Sequence, residues 1–291
     1  MIRIAYLLVL VACCISCKQK KPAKDFEIKV ANSPSNARID STNKKQDSLF
    51  HNALDHVFTL IKANSNNTFD KSFSTTQDNH QDHNLKVEVK LGYLFSQRYK
   101  NLLIIGASNL ETRIYIYNSD GTDFNQLMTK KYSNYSFPIF SIKDINADGL
   151  KDFLVNWYPA SGCCRRNIYD LYLSKEDNTF GKEITLVNPT FYSKERVIRG
   201  VTYDHPGLAS LYKFKWNKLN LDTVEYIYPN LKDTLQLSYI KSSHKRYSSS
   251  KSRKLVQLKS LPKEYRTVLE IDYFKSYDLK DIKAISKNYN N

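Results

Sequence analysis

Leu85-Lys-Val-Glu-Val-Lys-Leu91 alternates apolar and charged residues with a period of two. Successive side chains of a strand point to opposite faces, so Leu85, Val87, Val89 and Leu91 turn toward a core while Lys86, Glu88 and Lys90 turn toward water. The chain keeps this texture downstream. Apolar runs predict strands at 101–106, 112–118, 137–142, 152–158, 167–173, 183–187, 196–203, 208–217, 220–228 and 233–240, with two more at 254–259 and 266–274. Turn signals separate several of them: Asn118-Ser-Asp-Gly121, Lys175-Glu-Asp-Asn178 and Asn217-Lys-Leu-Asn220. Short strands at near-regular spacing, with no helical period between them, predict a mainly β fold over residues 84–275. The expected form is an antiparallel meander, either a sandwich or propeller-like. No sequence repeat supports a regular multi-blade propeller.

Upstream of this body the period changes. Phe50, Ala53, Leu54, Val57, Phe58 and Ile61 form the stripe of one amphipathic helix, placed at 44–64, with Asp47 or Ser48 as its cap. The stretch 64–84 is polar and reads as a loop. Residues 17–43 carry no periodic apolar set and read as a disordered tether, and 276–291 as a tail.

Composition agrees with a folded body. The 291 residues are 41% hydrophobic and 25% charged, which excludes a disordered chain and a multi-pass membrane protein. Twenty-one Tyr and 14 Phe favour strands. Against 29 acidic residues stand 44 basic ones, a formal charge of +15. That excess suits an anionic partner or surface.

Met1-Ile-Arg3 is a short basic lead into an apolar run, Ile4 to Ile15. The run is shorter than the roughly 20 residues a spanning helix needs, so it reads as a secretion signal, residues 1–16. It ends in cysteines at 13, 14 and 17, followed by Lys18-Gln-Lys-Lys21, and this junction resembles the lipobox of bacterial lipoproteins. The resemblance implies cleavage before Cys17 and a diacylglyceryl group on its sulfur, with Cys13 of Leu10-Val-Ala-Cys13 as the alternative. It also implies a location in the cell envelope, lipid-anchored and facing the periplasm or the exterior. Such a compartment offers little nucleic acid, so none is expected as a partner despite the basic charge.

Asp144-Ile-Asn146-Ala-Asp148-Gly149-Leu150-Lys-Asp152 reads D-x-N-x-D-G-x-x-D. Side-chain oxygens at positions 1, 3, 5 and 9 and the Leu150 carbonyl can wrap a hard cation that wants six to eight oxygens, and the glycine allows the sharp turn. Position 12 is Val155, so the bidentate glutamate of an EF-hand is missing, and the flanks are strand-like. The expected ion is a structural calcium; the alternative is an Asx-rich turn that keeps its shape without metal. The stretch resembles the calcium loops of FG-GAP and VCBS-type β-repeats. With Ser161-Gly-Cys-Cys164, Asn167-Ile-Tyr-Asp-Leu-Tyr-Leu173 and Tyr212-Lys-Phe-Lys-Trp216, the order over about residues 84–230 resembles a family of bacterial envelope β-proteins. Some relatives in that family are immunity proteins against peptidoglycan-cleaving effectors. The resemblance implies binding rather than catalysis.

Other residues carry weaker signals. Cys163 and Cys164 are adjacent, so they read as buried thiols, as a strained vicinal disulfide or as an intermolecular bridge. Trp157, Tyr158, Arg165 and Arg166 are interface-type residues and form a candidate recognition surface for an acidic protein or an anionic glycan. His80, Asp82 and His83 share a loop but lack a third anchored ligand position. No P-loop, G-x-S-x-G or H-E-x-x-H occurs, although glycosidase carboxylates carry no local signature. The expectation is therefore a non-catalytic envelope lipoprotein, either an inhibitor-like module for a cell-wall hydrolase or a glycan-binding accessory protein. A hydrolase is the remaining alternative.

Overall fold

The computed structural model describes residues 34–63, 68–76, 84–119, 123–159, 166–203, 209–233, 238–246 and 254–275, with side chains from Lys44 onward. The chain divides into two units at Lys44. Of the first, helical backbone from Pro34 is described; the second carries every sheet. The mainly β, antiparallel-meander architecture with one N-terminal helix is the one observed.

Helix α1 runs Pro34–Lys62, so it starts ten residues before the expected boundary at 44 and replaces the last part of the expected tether. Proline is tolerated in a first turn, where its missing N–H needs no partner, and no Gly or Pro interrupts the chain after it. Asp47 and Ser48 consequently lie inside the helix and do not cap it. Instead the Asp47 carboxylate reaches Arg113, whose guanidinium also lies 4.3 Å from the centroid of the Phe50 ring.

Among the described residues fifteen strands follow in three sheets. The first sheet holds β1 (Phe69–Thr76), β2 (Asn84–Gly92), β3 (Asn101–Ala107), β4 (Glu111–Ser119) and β5 (Phe124–Ser133). The second holds β6 (Ile139–Lys143), β7 (Asp152–Trp157), β8 (Ile168–Tyr172) and β9 (Ile184–Val187). In the third are β10 (Pro189–Tyr192), β11 (Val197–Val201), β12 (Leu211–Asn217), β13 (Asn220–Pro229), β14 (Tyr239–Ser242) and β15 (Val256–Leu258). Every pair within a sheet is antiparallel and consecutive in the chain, so the topology is a meander without crossovers.

Alternation along the strands decides how the sheets stack. Leu85, Val87, Val89, Leu91, Leu102 and Ile104 pack against Leu49, Phe50, Ala53, Val57 and Ile61 of α1. The opposite parity of the first sheet, Leu103, Ile105, Ile114 and Ile116, meets Phe153, Val155 and Tyr172 of the second. Leu154, Leu171 and Leu186 leave the other face of the second sheet for Ile198, Tyr212, Trp216, Tyr226 and Tyr228 of the third. The outer face of the third sheet, Val201, Leu211 and Ile227, is covered by Tyr265, Val268, Tyr273 and Phe274. Four cores thus separate helix, three sheets and a C-terminal cap.

Two further expectations are corrected, and two strands were not anticipated. The polar stretch 64–84 contains β1, which pairs with β2 from Phe69↔Leu91 to Thr76↔Asn84. Its two phenylalanines, Phe69 and Phe73, share one face and reach the helix-side core, too sparse a pattern to stand out among polar residues. The expected strand 266–274 is instead a single-turn segment at Lys263–Tyr265 followed by helix α2 (Ile271–Lys275). Tyr265, Val268 and Ile271 recur every three residues, which brings them to one side of a helical chain, and Glu270 breaks the path with φ 62. Strands β5 and β10 have no clean alternation in the sequence and are visible only through their pairing with β4 and β11.

Gly200 is required by a close approach. A Cβ there would stand 2.3 Å from the ring of Tyr212 and 2.6 Å from the Asn188 carbonyl, and Tyr212 is itself held by donating its hydroxyl to the Val187 carbonyl at 2.8 Å. Gly200→Ala should therefore destabilise the fold by about 1–3 kcal/mol, the cost of forcing atoms into a filled core. Chemical denaturation of the two proteins measures it; a loss below about 0.5 kcal/mol would mean the ring moves aside freely.

Candidate metal loop and the groove beside it

Residues 144–151 connect β6 to β7, and the polar side chains of the motif fold back onto the loop's own backbone. Asp144 Oδ1 accepts the N–H of Ala147 at 2.7 Å and of Asp148 at 3.3 Å, and its Oδ2 accepts the N–H of Gly149 at 3.0 Å. Asp148 takes the Leu150 N–H at 2.9 Å and the Asn146 amide at 2.8 Å, while Asn146 Oδ1 accepts the Asp148 N–H at 3.2 Å. These bonds bend the chain through left-handed backbone at Ala147 (φ 56) and Gly149 (φ 90). Around Gly149 there is open space for a Cβ, so it is conformation rather than crowding that calls for glycine.

The loop lies where all three sheets meet. Lys151 donates its N–H to the Phe95 carbonyl, from the turn between β2 and β3, at 2.8 Å. Ser174, just past β8, donates its hydroxyl to the Lys151 carbonyl at 2.6 Å, and Ser193, after β10, donates to the Asp144 carbonyl at 3.3 Å. Ile145 is fully buried between the second and third sheets.

Asp152 is the pivot. It is 0% exposed, and its two oxygens each hold one backbone amide at 3.0 Å, Ile145 on one side and Ser174 on the other. Burial raises its pKa most, the two amides pull it down and the charges of Asp148 and Asp144 push it up, which together bring it to about 7. A carboxyl whose folded pKa lies above its ordinary value near 3.8 binds a proton more tightly in the folded state, so its own contribution favours folding as the pH falls below about 7. Among the described residues no Lys, Arg or His forms an ion pair with Asp144, Asp148 or Asp152. Among the described residues the loop's negative charge is therefore not held in a direct ion pair, and a proton or a bound cation would offset it.

The donor chemistry fits a hard cation. Asp144, Asn146, Asp148, Asp152 and the Leu150 carbonyl supply oxygens only, and apart from Asp144 Oδ1, which accepts two N–H groups, each bonded oxygen keeps a second lone pair. Among the described residues no three His, Cys, Asp or Glu side chains form a ready-made metal cluster, so the site would depend on the Asn146 amide and a main-chain carbonyl as well as on carboxylates.

Asp148, Gly149 and Leu150 also form one wall of a cavity of about 620 Å³. The other walls are the 174–177 turn, Arg196 and Lys218. Arg196 (φ 54) and Lys218 (φ 53) are both in left-handed backbone, a conformation that tends to collect at binding sites when bulky residues adopt it. Asp177 accepts both the N–H (3.1 Å) and the hydroxyl (2.6 Å) of Thr179, which holds its pKa below the usual carboxylate range. Nothing in the sequence marks this groove, because its residues come from four turns brought together by the stacking of the sheets.

The other candidate residues separate. Trp157 turns inward: its indole N–H donates to Asp170 at 2.8 Å, and Asp170 also accepts the hydroxyls of Tyr132 and Thr185, each at 2.8 Å. Tyr158 stays at the surface, 40% exposed. Arg166 stacks 4.0 Å from the centroid of the Tyr203 ring. Cys17, Cys163, Cys164, Arg165, His80, Asp82 and His83 lie outside the described residues. Among the described residues no helix is long and apolar enough to cross a membrane. The chain matches no protein-family model, no curated protein and no solved structure.

Asp152→Ala removes the acceptor of two buried amides and should cost about 2–6 kcal/mol, at ~1–3 for each amide left without a partner. Asp152→Asn keeps one acceptor oxygen and should lose less. Denaturant midpoints of the three proteins in chelator report this order, and equal stability of Asp152→Ala and the parent would rule the pivot out.

Proposed function

We propose that this protein is a lipid-anchored cell-envelope protein that binds a partner rather than catalysing a reaction, with a β-body braced by one calcium ion at residues 144–152. The observation that carries the reading is the uncompensated acidic loop at the junction of the three sheets, with Asp152 buried at its end. A cation held by Asp144, Asn146, Asp148, Leu150 and Asp152 would neutralise that charge and make the loop a rigid wall of the adjoining groove. Arg196 and Lys218 on the facing walls suit an acidic partner, such as the cleft of a cell-wall hydrolase, and this is the inhibitor-like or immunity role. The lipid would sit on Cys17, and the anchored chain would face the periplasm or the exterior.

A second reading, a glycan-binding accessory lipoprotein, draws support from exposed aromatics near the start of β6. Tyr135 and Phe137 are 66% and 74% exposed, and the Tyr158 N–H donates to the Ser136 carbonyl at 2.8 Å, which places Tyr158 beside them. Flat rings on one surface suit stacking on sugars.

Melting the purified protein in calcium and in chelator tests the brace. At calcium a hundredfold above its Kd the stabilisation is about 2.7 kcal/mol, a rise of roughly 5–10 °C for a body of this size. Asp148→Ala should abolish the rise, and no rise in the parent protein would end the calcium reading. Co-purification of a hydrolase or inhibition of peptidoglycan cleavage supports the first role; binding on a glycan panel that Tyr158→Ala removes supports the second. Silence in both assays would count against a binding module altogether.

A further inference from the structure

A second cavity, of about 370 Å³, lies on the C-terminal cap, away from the calcium-type loop, and its charge is one-sided. Among the described residues Lys259, Arg266 and Lys275 line it and no acidic residue does. None of the three forms an ion pair among the described residues, whereas Glu264 of the same cap is held by Lys213 at 2.9 Å. Three like charges around one concavity repel one another, and the low-dielectric walls of a concave site strengthen the field they share.

The remaining walls are largely apolar. Tyr239, Leu261 and Ile271 line the pocket with apolar surface and pack into the core beneath it, where the Tyr239 ring stacks on Phe274 with centroids 6.1 Å apart. Ser260 adds a hydroxyl. The cap that supplies these residues, with its single-turn segment and short α2, is the part of the chain whose sequence pattern looked like a strand. Its irregular path is what places Lys259, Arg266 and Lys275, from three separate segments, around one space.

We infer that this pocket binds a phosphate group, with its apolar wall against the organic part of the ligand. A single carboxylate would satisfy one or two of the cations, whereas a phosphate offers several acceptor oxygens and up to two charges, and the Arg266 guanidinium can engage two of those oxygens at once. The cavity volume is within the range of small-ligand sites. The phosphate belongs either to a soluble phosphate ester or to the headgroup of an anionic phospholipid. The site is independent of the calcium-type loop.

Titration calorimetry of the purified full chain with inorganic phosphate, glycerol 3-phosphate and dihexanoyl phosphatidylglycerol below its micellar concentration tests the inference. Saturable binding of at least one probe is expected. Arg266→Gln, and separately the pair Lys259→Gln and Lys275→Gln, should weaken it by about tenfold or more, as expected for losing a charge-assisted hydrogen bond. Lys263→Gln makes the same charge change on an exposed neighbour outside the pocket and should leave binding within about twofold. All of these side chains are exposed, and thermal melts check that the variants fold. Tighter binding of the short-chain lipid than of glycerol 3-phosphate assigns the headgroup source, and equal affinity assigns the soluble ester. Absence of saturable binding for all three probes, or an equal loss in Lys263→Gln, overturns the site.

Discussion

The middle sheet is buried on both faces, and the rest of the body follows from that. Phe153 and Val155 of β7 enter one core while Leu154, between them, enters another, and β8 divides Tyr172 from Leu171 in the same way. A sheet whose two faces are both apolar leaves its strand ends and edges as the places for polar chemistry, since an unpaired polar group on either face would lose its hydrogen bonds to water without replacement. Turns from all three sheets therefore collect at the ends of the stack. The acidic loop and the groove beside it form at one such end.

Asp152 shows how narrow the transition is. It is the first residue of β7, fully buried, and it stands between the hydrophobic interior and the charged loop. Its two accepted amides tie Ile145, whose side chain is core, to Ser174, whose hydroxyl returns to the loop backbone. Packing and loop geometry are thus linked through one carboxyl. Asp144 and Asp148 are bound into the same loop by their own backbone contacts, so their charges stay near Asp152 even though they raise its pKa. Among the described residues these carboxylates stay close together without forming an ion pair.

The positive excess of the chain is distributed unevenly. Near the groove Arg196 and Lys218 face acidic neighbours on other walls, whereas on the C-terminal cap three cations share a pocket with none. On the neighbouring strand β11, Arg199 is almost fully buried, pairs with Glu195 and lies 4.4 Å from the Tyr192 ring centroid. Two surfaces of different character on one scaffold are compatible with two kinds of contact, one with a macromolecular partner and one with a small anion.

What was legible in the sequence was what the sequence encodes locally. Period two marked β2, apolar runs marked most other strands, the i, i+3, i+4 stripe marked the helix face from Phe50 to Ile61, and closely spaced oxygens with Gly149 marked the loop, because each signal needs only residues a few positions apart. β1 and β5 were not legible: their strand state comes from pairing with β2 and β4, and the run 266–274 reads as a strand although packing on the third sheet holds Val268 and Ile271 in a helical cap. The direction of Trp157 was equally hidden, since its inward turn depends on Asp170, thirteen residues away on the neighbouring strand. By itself the sequence determined the class of fold, the helix face and the chemistry of the acidic loop. Only the tertiary structure decided that Asp152 is buried, that Arg196 and Lys218 face that loop, and that three cations share one pocket, because each of these depends on which distant segments the stacking of the sheets makes into neighbours.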